Sequence, residues 1–189
     1  NMRYTKTLMT DVVIAGGGAA GLMTAITAAR RGLSVTVLEL NGKTGKKLRI
    51  TGKGRCNVTN DSAPQDFLQK VCTNARFLKS PLYAFPPEAA KEFFEELGVP
   101  LKTERGERVF PVSDNANDVA DALERAAKDA GVRFLKERLT DVCTADGRVT
   151  AAVTDHGKHS CRAVVICTGG LSYPGTGSTG DGYRLAARL

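Results

Sequence analysis

Three glycines and one carboxylate pose the first chemical question. In VVIAGGGAAGL, the pattern Gly16-x-Gly18-x-x-Gly21 follows an apolar run and opens an alanine-rich stretch, and Glu39 stands 18 residues after Gly21. Such a turn can bring backbone N–H groups up to a pyrophosphate. Gly16 permits the tight bend, Gly18 lets the main chain approach the ligand, and Gly21 lets helix and strand pack closely. The helix N-terminus adds free N–H groups and a partial positive charge. Glu39, at the end of a second strand, would accept hydrogen bonds from ribose hydroxyls. It would also repel a 2′-phosphate, so the pattern favours FAD or NAD over NADP. The competing reading is a plain tight turn with Glu39 as a solvated strand end.

The second candidate is KKLRITGKGRCNVTN, Lys46 to Asn60, with six Lys or Arg between Lys43 and Arg55. A nucleic-acid patch would want stacking partners, and there is no Phe, Tyr or Trp between Asn41 and Asp66. A phosphate loop of the GxxxxGK[ST] kind fails, because Val37 stands where its first glycine should be and Gly54 follows Gly52-Lys53. What remains is a loop leaving the C-terminal edge of a dinucleotide-fold sheet, where ligands bind. There Lys47 and Arg55 could neutralise a pyrophosphate, and Asn57 could hydrogen-bond it or a flavin edge. A merely solvated basic loop is the alternative. A Cys56 thiolate beside Lys53 and Arg55 could titrate low. With no second cysteine nearby, packing or backbone positioning is the stronger reading for it.

These residues need elements to position them. Asp11 to Ala15 reads as a strand, Ala20 to Arg31 as a helix with Leu22, Ile26 and Ala29 on one face, and Gly32 as its stop. SVTVLEL, Ser34 to Leu40, reads as a second buried strand, which completes a βαβ unit with parallel strands. PPEAAKEFFEELG and SDNANDVADALERAAKDAG read as helices closed by Gly98 and Gly131. The first has FFEEL as a core-facing stripe; the second has Val119, Leu123, Ala126, Ala127 and Ala130 on its apolar face. LKTERGERVFPVS between them reads as a hairpin or loop. In it Arg108, Phe110 and Pro111 either wall a site or form a surface turn anchored by Phe110. Short strands follow: VRFL, a hairpin turning at Asp146-Gly147, then RAVVICTGG, Arg162 to Gly170, as a buried strand with Cys167 in the core. SYPGTGSTGDGYRLAARL reads as a loop and the opening of a helix. His156 and His159 flank a predicted hairpin turn at Gly157-Lys158, where solvent exposure is expected.

The bulk numbers set bounds. At 189 residues, 42% hydrophobic and 25% charged, the chain is an ordinary globular length and composition. Its apolar runs are strand-length, so no membrane span is expected. NMRYTKTLMT lacks the apolar stretch of a signal peptide, and Asn1 ahead of Met2 looks like a cloning remnant. Five cysteines without a CxxC pair and only two histidines point to reduced thiols, no metal site and a cytoplasmic setting. The net charge of +7 asks for an anionic partner: nucleic acid, lipid or a phosphate-bearing cofactor.

VVIAGGGAAGLMTAI, KKLRITGKGRCNVTN, GERVFPVSDNANDV and VVICTGGLSYPGTGSTGDGY occur here in that order. In this the chain resembles the bacterial aminoacetone-oxidase-like (BaiN/YhiN-type) NAD(P)/FAD-dependent oxidoreductases of the glutathione-reductase-like flavoprotein group. The similarity covers nearly everything after Thr10, and GKGRCNVTN is its most diagnostic element. The resemblance implies an α/β fold: a Rossmann-like FAD-binding domain with a parallel sheet, a helical insertion and a small antiparallel β-meander. It implies an N-terminal tail over 1–10 and a FAD-binding domain over 11–189, with the insertion at 61–131, the strands and meander at 132–162, and the return strand and cofactor loop at 163–189. It further implies FAD at Gly16, Gly18, Ala19, Ala20 and Gly21, with Glu39 on the adenosine ribose. Lys47, Thr51, Gly52, Arg55, Cys56 and Asn57 would line the cofactor, the Leu139 backbone would meet the adenine, and Thr168, Gly169 and Gly170 would form a second cofactor turn.

Family members are longer, with a substrate domain and a C-terminal flavin segment after the GDGY helix. This chain therefore looks like an N-terminal portion, and an edge cut near Leu189 would favour self-association. The expected activity of the parent protein is hydride transfer through flavin N5, from NAD(P)H or a small reduced substrate to an acceptor. No catalytic residue is assigned. A non-catalytic FAD- or NAD-binding module is one alternative. An RNA-associated flavoprotein is a weaker one, since dispersed Lys and Arg and few aromatics disfavour nucleic acid; no membrane partner is expected.

Overall fold

The computed structural model describes residues 9–189; of the N-terminal tail expected over 1–10, residues 1–8 lie outside the described residues. In chain order the first half contains β1 (Thr10–Ala15), α1 (Ala19–Arg30), β2 (Val35–Leu38), α2 (Lys46–Gly54), β3 (Thr59–Asn60), α3 (Pro64–Gln69), α4 (Ala75–Ala84) and α5 (Pro87–Glu96). The second half contains β4 (Leu101–Glu104), β5 (Arg108–Pro111), α6 (Ala116–Asp129), β6 (Arg133–Leu135), β7 (Leu139–Ala145), β8 (Arg148–Thr154), β9 (Lys158–Ile166) and α7 (Asp181–Ala186). The chain divides into two compact units, Asn1–Lys47 with Leu123–Leu189, and Leu48–Ala122.

The first unit holds a six-stranded sheet of order β6-β2-β1-β9-β8-β7. β1 pairs in parallel with β2 and β9, and β2 with β6. β7, β8 and β9 pair antiparallel as a meander whose first turn is Asp146-Gly147, both at positive φ. The return strand begins earlier than the apolar run suggests. β9 is continuous from Lys158, and its first residues pair with β8 while Cys161 to Ile166 pair with β1. One strand thus joins the meander to the parallel sheet. Ala163 to Ile166 are half-buried, not buried as expected.

Because its central strands are covered, β1 from Val12 to Ala15 is an unbroken apolar run and every residue of β2, Thr36 included, is buried; Val13, Ile14 and Val37 are fully buried with Leu22 and Ile26 of α1. Removing each such Val, Leu or Ile from water contributes about 1.5–3 kcal/mol against the entropy of ordering it. Val13, Leu38, Leu139, Val142, Ala152 and Leu185 belong to one core cluster. His156 is exposed in the β8–β9 turn. His159 corrects the expectation of exposure: it is partly buried on β9, 2.6 Å from Glu137 Oε2. Burial acts to raise the Glu137 carboxyl, but hydrogen bonds from Thr154 and His159 outweigh it and hold it low.

In the second unit, β3, β5 and β4 form a three-stranded antiparallel sheet, so the LKTERGERVFPVS segment is a hairpin. Cys56, Val99, Ala116, Val119 and Ala122 form its buried cluster, with Leu48, Val58, Phe94, Leu97 and Leu101 packed against them. FFEEL does supply that stripe through Phe94 and Leu97, and Phe93 meets Phe94 edge to face at 5.4 Å. The apolar face of α6 is as expected, with Val119, Leu123 and Ala127 buried. α3 and α4 were not expected as helices: Pro81 lies inside α4, and neither buries a residue.

Candidate dinucleotide-binding site

The glycine turn is built by backbone contacts that leave no room for side chains. Gly16, at φ +104°, donates its N–H to Leu38 O at 2.8 Å, and a Cβ on it would lie 2.4 Å from Cys167 O. A Cβ on Gly21 would lie 1.9 Å from Gly16 O, so helix and strand approach as closely as the motif anticipates. Gly18 differs. It is the N-cap of α1 in extended conformation, and a Cβ there would meet nothing within 4 Å. Among the described residues no neighbour demands glycine at that position, and the space beside it is open. Ala19 and Ala20 follow, exposed, in a first turn that carries no acidic side chain. The N–H groups of that turn are free to meet an anion.

Glu39 closes the turn. Its Oε2 accepts the Gly17 N–H at 2.8 Å, while Oε1 accepts both the backbone N–H and the side-chain Nδ2 of Asn41, each at 2.7 Å. The chain then folds back on the turn: Gly45 N–H donates to Gly17 O at 2.8 Å, and buried Thr44 donates to Glu124 Oε2 at 2.6 Å. Asn41 and Thr44 were not foreseen as part of the site. An amide two residues after the acidic residue was the available signal for Asn41.

Thr168, Gly169 and Gly170 follow β9, whose end lies beside β1. Among the described residues, Thr168 Oγ1 is buried without a hydrogen-bond partner. A buried hydroxyl left unpaired costs about 1–3 kcal/mol, so such an atom at a proposed cofactor turn fits a polar ligand group. A Cβ on Gly169 would lie 2.7 Å from Ser178 Oγ. Lys47 is exposed, with Nζ 5.3 Å from the Tyr173 ring centroid. Leu139 begins β7, buried, paired with Thr154.

The basic segment is not the simple loop expected. Lys46 begins a helix that breaks at Thr51 into a left-handed run, Gly52 and Lys53 at φ near +58° and +59°. Cys56, also at positive φ, donates its N–H to Thr51 O at 3.0 Å. Its side chain is fully buried, and burial pushes the thiol up to about 11. That chemistry opposes a thiolate and agrees with a packing role. A Cβ on Gly52 would meet Asn57 N at 2.9 Å and the Phe110 ring at 3.1 Å. The Asn57 amide, oriented to satisfy both ends, donates to Thr59 O at 3.0 Å and Val109 O at 3.2 Å.

Arg55 is engaged within this unit. Its guanidinium donates to both oxygens of Glu104, to Asp114 Oδ1 from Nε at 2.8 Å, and lies 4.2 Å from the Phe110 centroid. The Glu104 bond, then that of Asp114, raises its pKa further. Phe110 is buried and so anchors the hairpin. Among the described residues no three His, Cys, Asp or Glu side chains group to hold a metal ion, and no helix is long and apolar enough to cross a membrane.

Residues 10–189 match the family model described as HI0933-like protein Rossmann domain. The chain belongs to this family. Its fold is that of the FAD-binding Rossmann domain of a flavin oxidoreductase family. It is 31% identical over 186 residues to the 3-dehydro-bile acid delta(4,6)-reductase of Clostridium scindens, covering 96% of this chain and 44% of that protein. It is 30% identical to the ribosomal RNA dihydrouridine synthase of Haemophilus influenzae, covering 94% of this chain and 44% of that one. The chain thus spans under half the length of these family relatives. Among solved structures, 3-ketosteroid-delta4-(5alpha)-dehydrogenase from Rhodococcus jostii shares the fold at TM-score 0.65 and 22% identity, covering 90% of this chain and 48% of that one. A flavocytochrome c3 fumarate reductase does so at TM-score 0.63 and 22% identity, covering 95% and 40%.

Proposed function

We propose that this chain is the FAD-binding portion of a bacterial, cytoplasmic, BaiN/YhiN-type reductase that uses NAD(P)H to add hydrogen across a carbon–carbon double bond of a small conjugated substrate. The observation that supports this reading is the Gly17–Glu39 hydrogen bond, which sets a carboxylate able to accept from a ribose beside a turn with free N–H groups and open space at Gly18. When bound, FAD would supply two-electron chemistry, accepting and giving hydride. The chain's own residues bind and orient. Gly18, Ala19 and Ala20 would present N–H groups to the pyrophosphate, Glu39 would accept from the adenosine ribose, and Thr168 Oγ1 would find a partner in the ligand. The resemblance adds Gly16, Gly21, Lys47, Thr51, Gly52, Arg55, Cys56, Asn57, Leu139, Gly169 and Gly170 as cofactor-binding residues of the parent protein.

The substrate class is drawn from two relatives. A delta(4,6)-reductase and a synthase of dihydrouridine both bear names for saturating a carbon–carbon double bond. In net terms NAD(P)H would give a hydride and the solvent a proton (H+), leaving NAD(P)+ and the saturated product. The dihydrouridine relatives favour one second reading, in which the reduced group is a uridine within RNA, and the net charge of +7 agrees with it. The whole protein, loaded with FAD, should oxidise NADH or NADPH faster when given a conjugated enone. Acceleration by uridine-containing RNA instead, with binding that weakens steeply in salt, would favour the second reading. Oxidation unaffected by either acceptor would sink both.

A further inference from the structure

We propose that Asn41 is a positioning residue for the cofactor ribose, acting through Glu39; the inference rests on the FAD reading above. A carboxylate offers roughly four accepting positions on its two oxygens. Three of those on Glu39 are taken by the protein: Oε1 by the backbone N–H and side-chain Nδ2 of Asn41, and Oε2 by the Gly17 N–H. The two Asn41 donors reach the same oxygen, each at 2.7 Å, so they fix the carboxylate's torsion and leave Oε2 as the oxygen with spare capacity. That oxygen is the one tied to the glycine turn. A Cβ on Gly17 would sit 3.1 Å from it, so the carboxylate lies directly against that backbone.

Asn41 also faces the loop after β9, where a Cβ on Gly177 would lie 3.3 Å from Nδ2. Its amide is thereby held between the carboxylate and that backbone. Removing the amide leaves the Gly17 and Asn41 backbone donors in place but takes away one of the three hydrogen bonds on the Glu39 carboxylate, a charge-assisted one, and so loosens its orientation. The hydroxyl-accepting geometry is loosened although no contact with the ligand itself is removed.

The test is a double-mutant cycle on FAD binding, read by quenching of flavin fluorescence, with Asn41→Ala and Glu39→Ala singly and together. Asn41→Ala should weaken FAD binding roughly 2- to 10-fold in the wild-type background and leave it unchanged in the Glu39→Ala background. It should also shrink the preference for ADP over 2′,3′-dideoxy-ADP, a ratio that general loosening of the fold would not move. An equal loss in both backgrounds, or an unchanged ratio, overturns the positioning role while the cofactor reading stands. A wild-type chain that binds no FAD overturns both.

Discussion

Arg55 lies with its guanidinium carbon 4.2 Å from the centroid of the Phe110 ring, tying the left-handed turn at the end of α2 to the β4–β5 hairpin. The stack is reinforced by Glu104 and Asp114, which take the guanidinium's donors from the side. Lysine cannot reproduce a planar fork that pairs two carboxylates while lying on a ring. Arg55→Lys should therefore speed amide exchange at Val58 and Val109 nearly as much as Arg55→Ala does. Lysine restoring full protection would show that charge alone holds the turn.

Acid should loosen the second unit. Asp61 is held low first by Lys91 and then by Thr103, Glu104 first by Arg55, and Asp114 first by Lys102 and then by Arg55. A carboxyl with a depressed folded pKa stabilises above its unfolded value, about 4, and that contribution disappears as pH falls through the folded value. Thermal stability should thus be level from neutrality down to about pH 5 and decline below about pH 4. Asp61→Asn should flatten part of the decline, and an unchanged acid limb would contradict its assignment.

Two glycines three residues apart should respond differently to one methyl group. Gly21→Ala drives a Cβ against the Gly16 carbonyl, and should cost at least ~2 kcal/mol, seen as a lowered Tm. Gly18→Ala meets open space at negative φ, and should leave Tm nearly unchanged while weakening FAD binding. Equal effects of the two on Tm would refute the distinction.

Thiol chemistry should sort by burial. Cys72 is exposed, whereas Cys56 and Cys161 are buried and their thiols raised by that burial. A thiol reagent at pH 8 should label Cys72 rapidly and Cys56 only on unfolding. Rapid native labelling of Cys56 would reopen its redox reading.

The first βαβ unit was legible because its determinants are local: apolar strands without alternation, a glycine turn, a helical period and Gly32 as the stop. Glu39 was legible for the same reason, standing at the end of a strand whose limits the sequence marks. The segment from Lys46 was not, since a helix of under two turns with Lys at its start gives no period to read. α4 was missed because Pro81 within it reads as a breaker. The partners of Arg55 lie 49 and 59 residues away, and no short-range pattern links them. Burial of Cys56 depends on Val99 and Val119, contacts that only the folded chain brings together.

The most direct test of the account is a titration of the purified chain with FAD, following flavin fluorescence, beside the Glu39→Ala variant. The account predicts saturable binding by the wild-type chain and binding weakened about tenfold or more when the carboxylate is removed. A well-folded chain that shows no saturable binding, or that binds FAD equally well without Glu39, would contradict it.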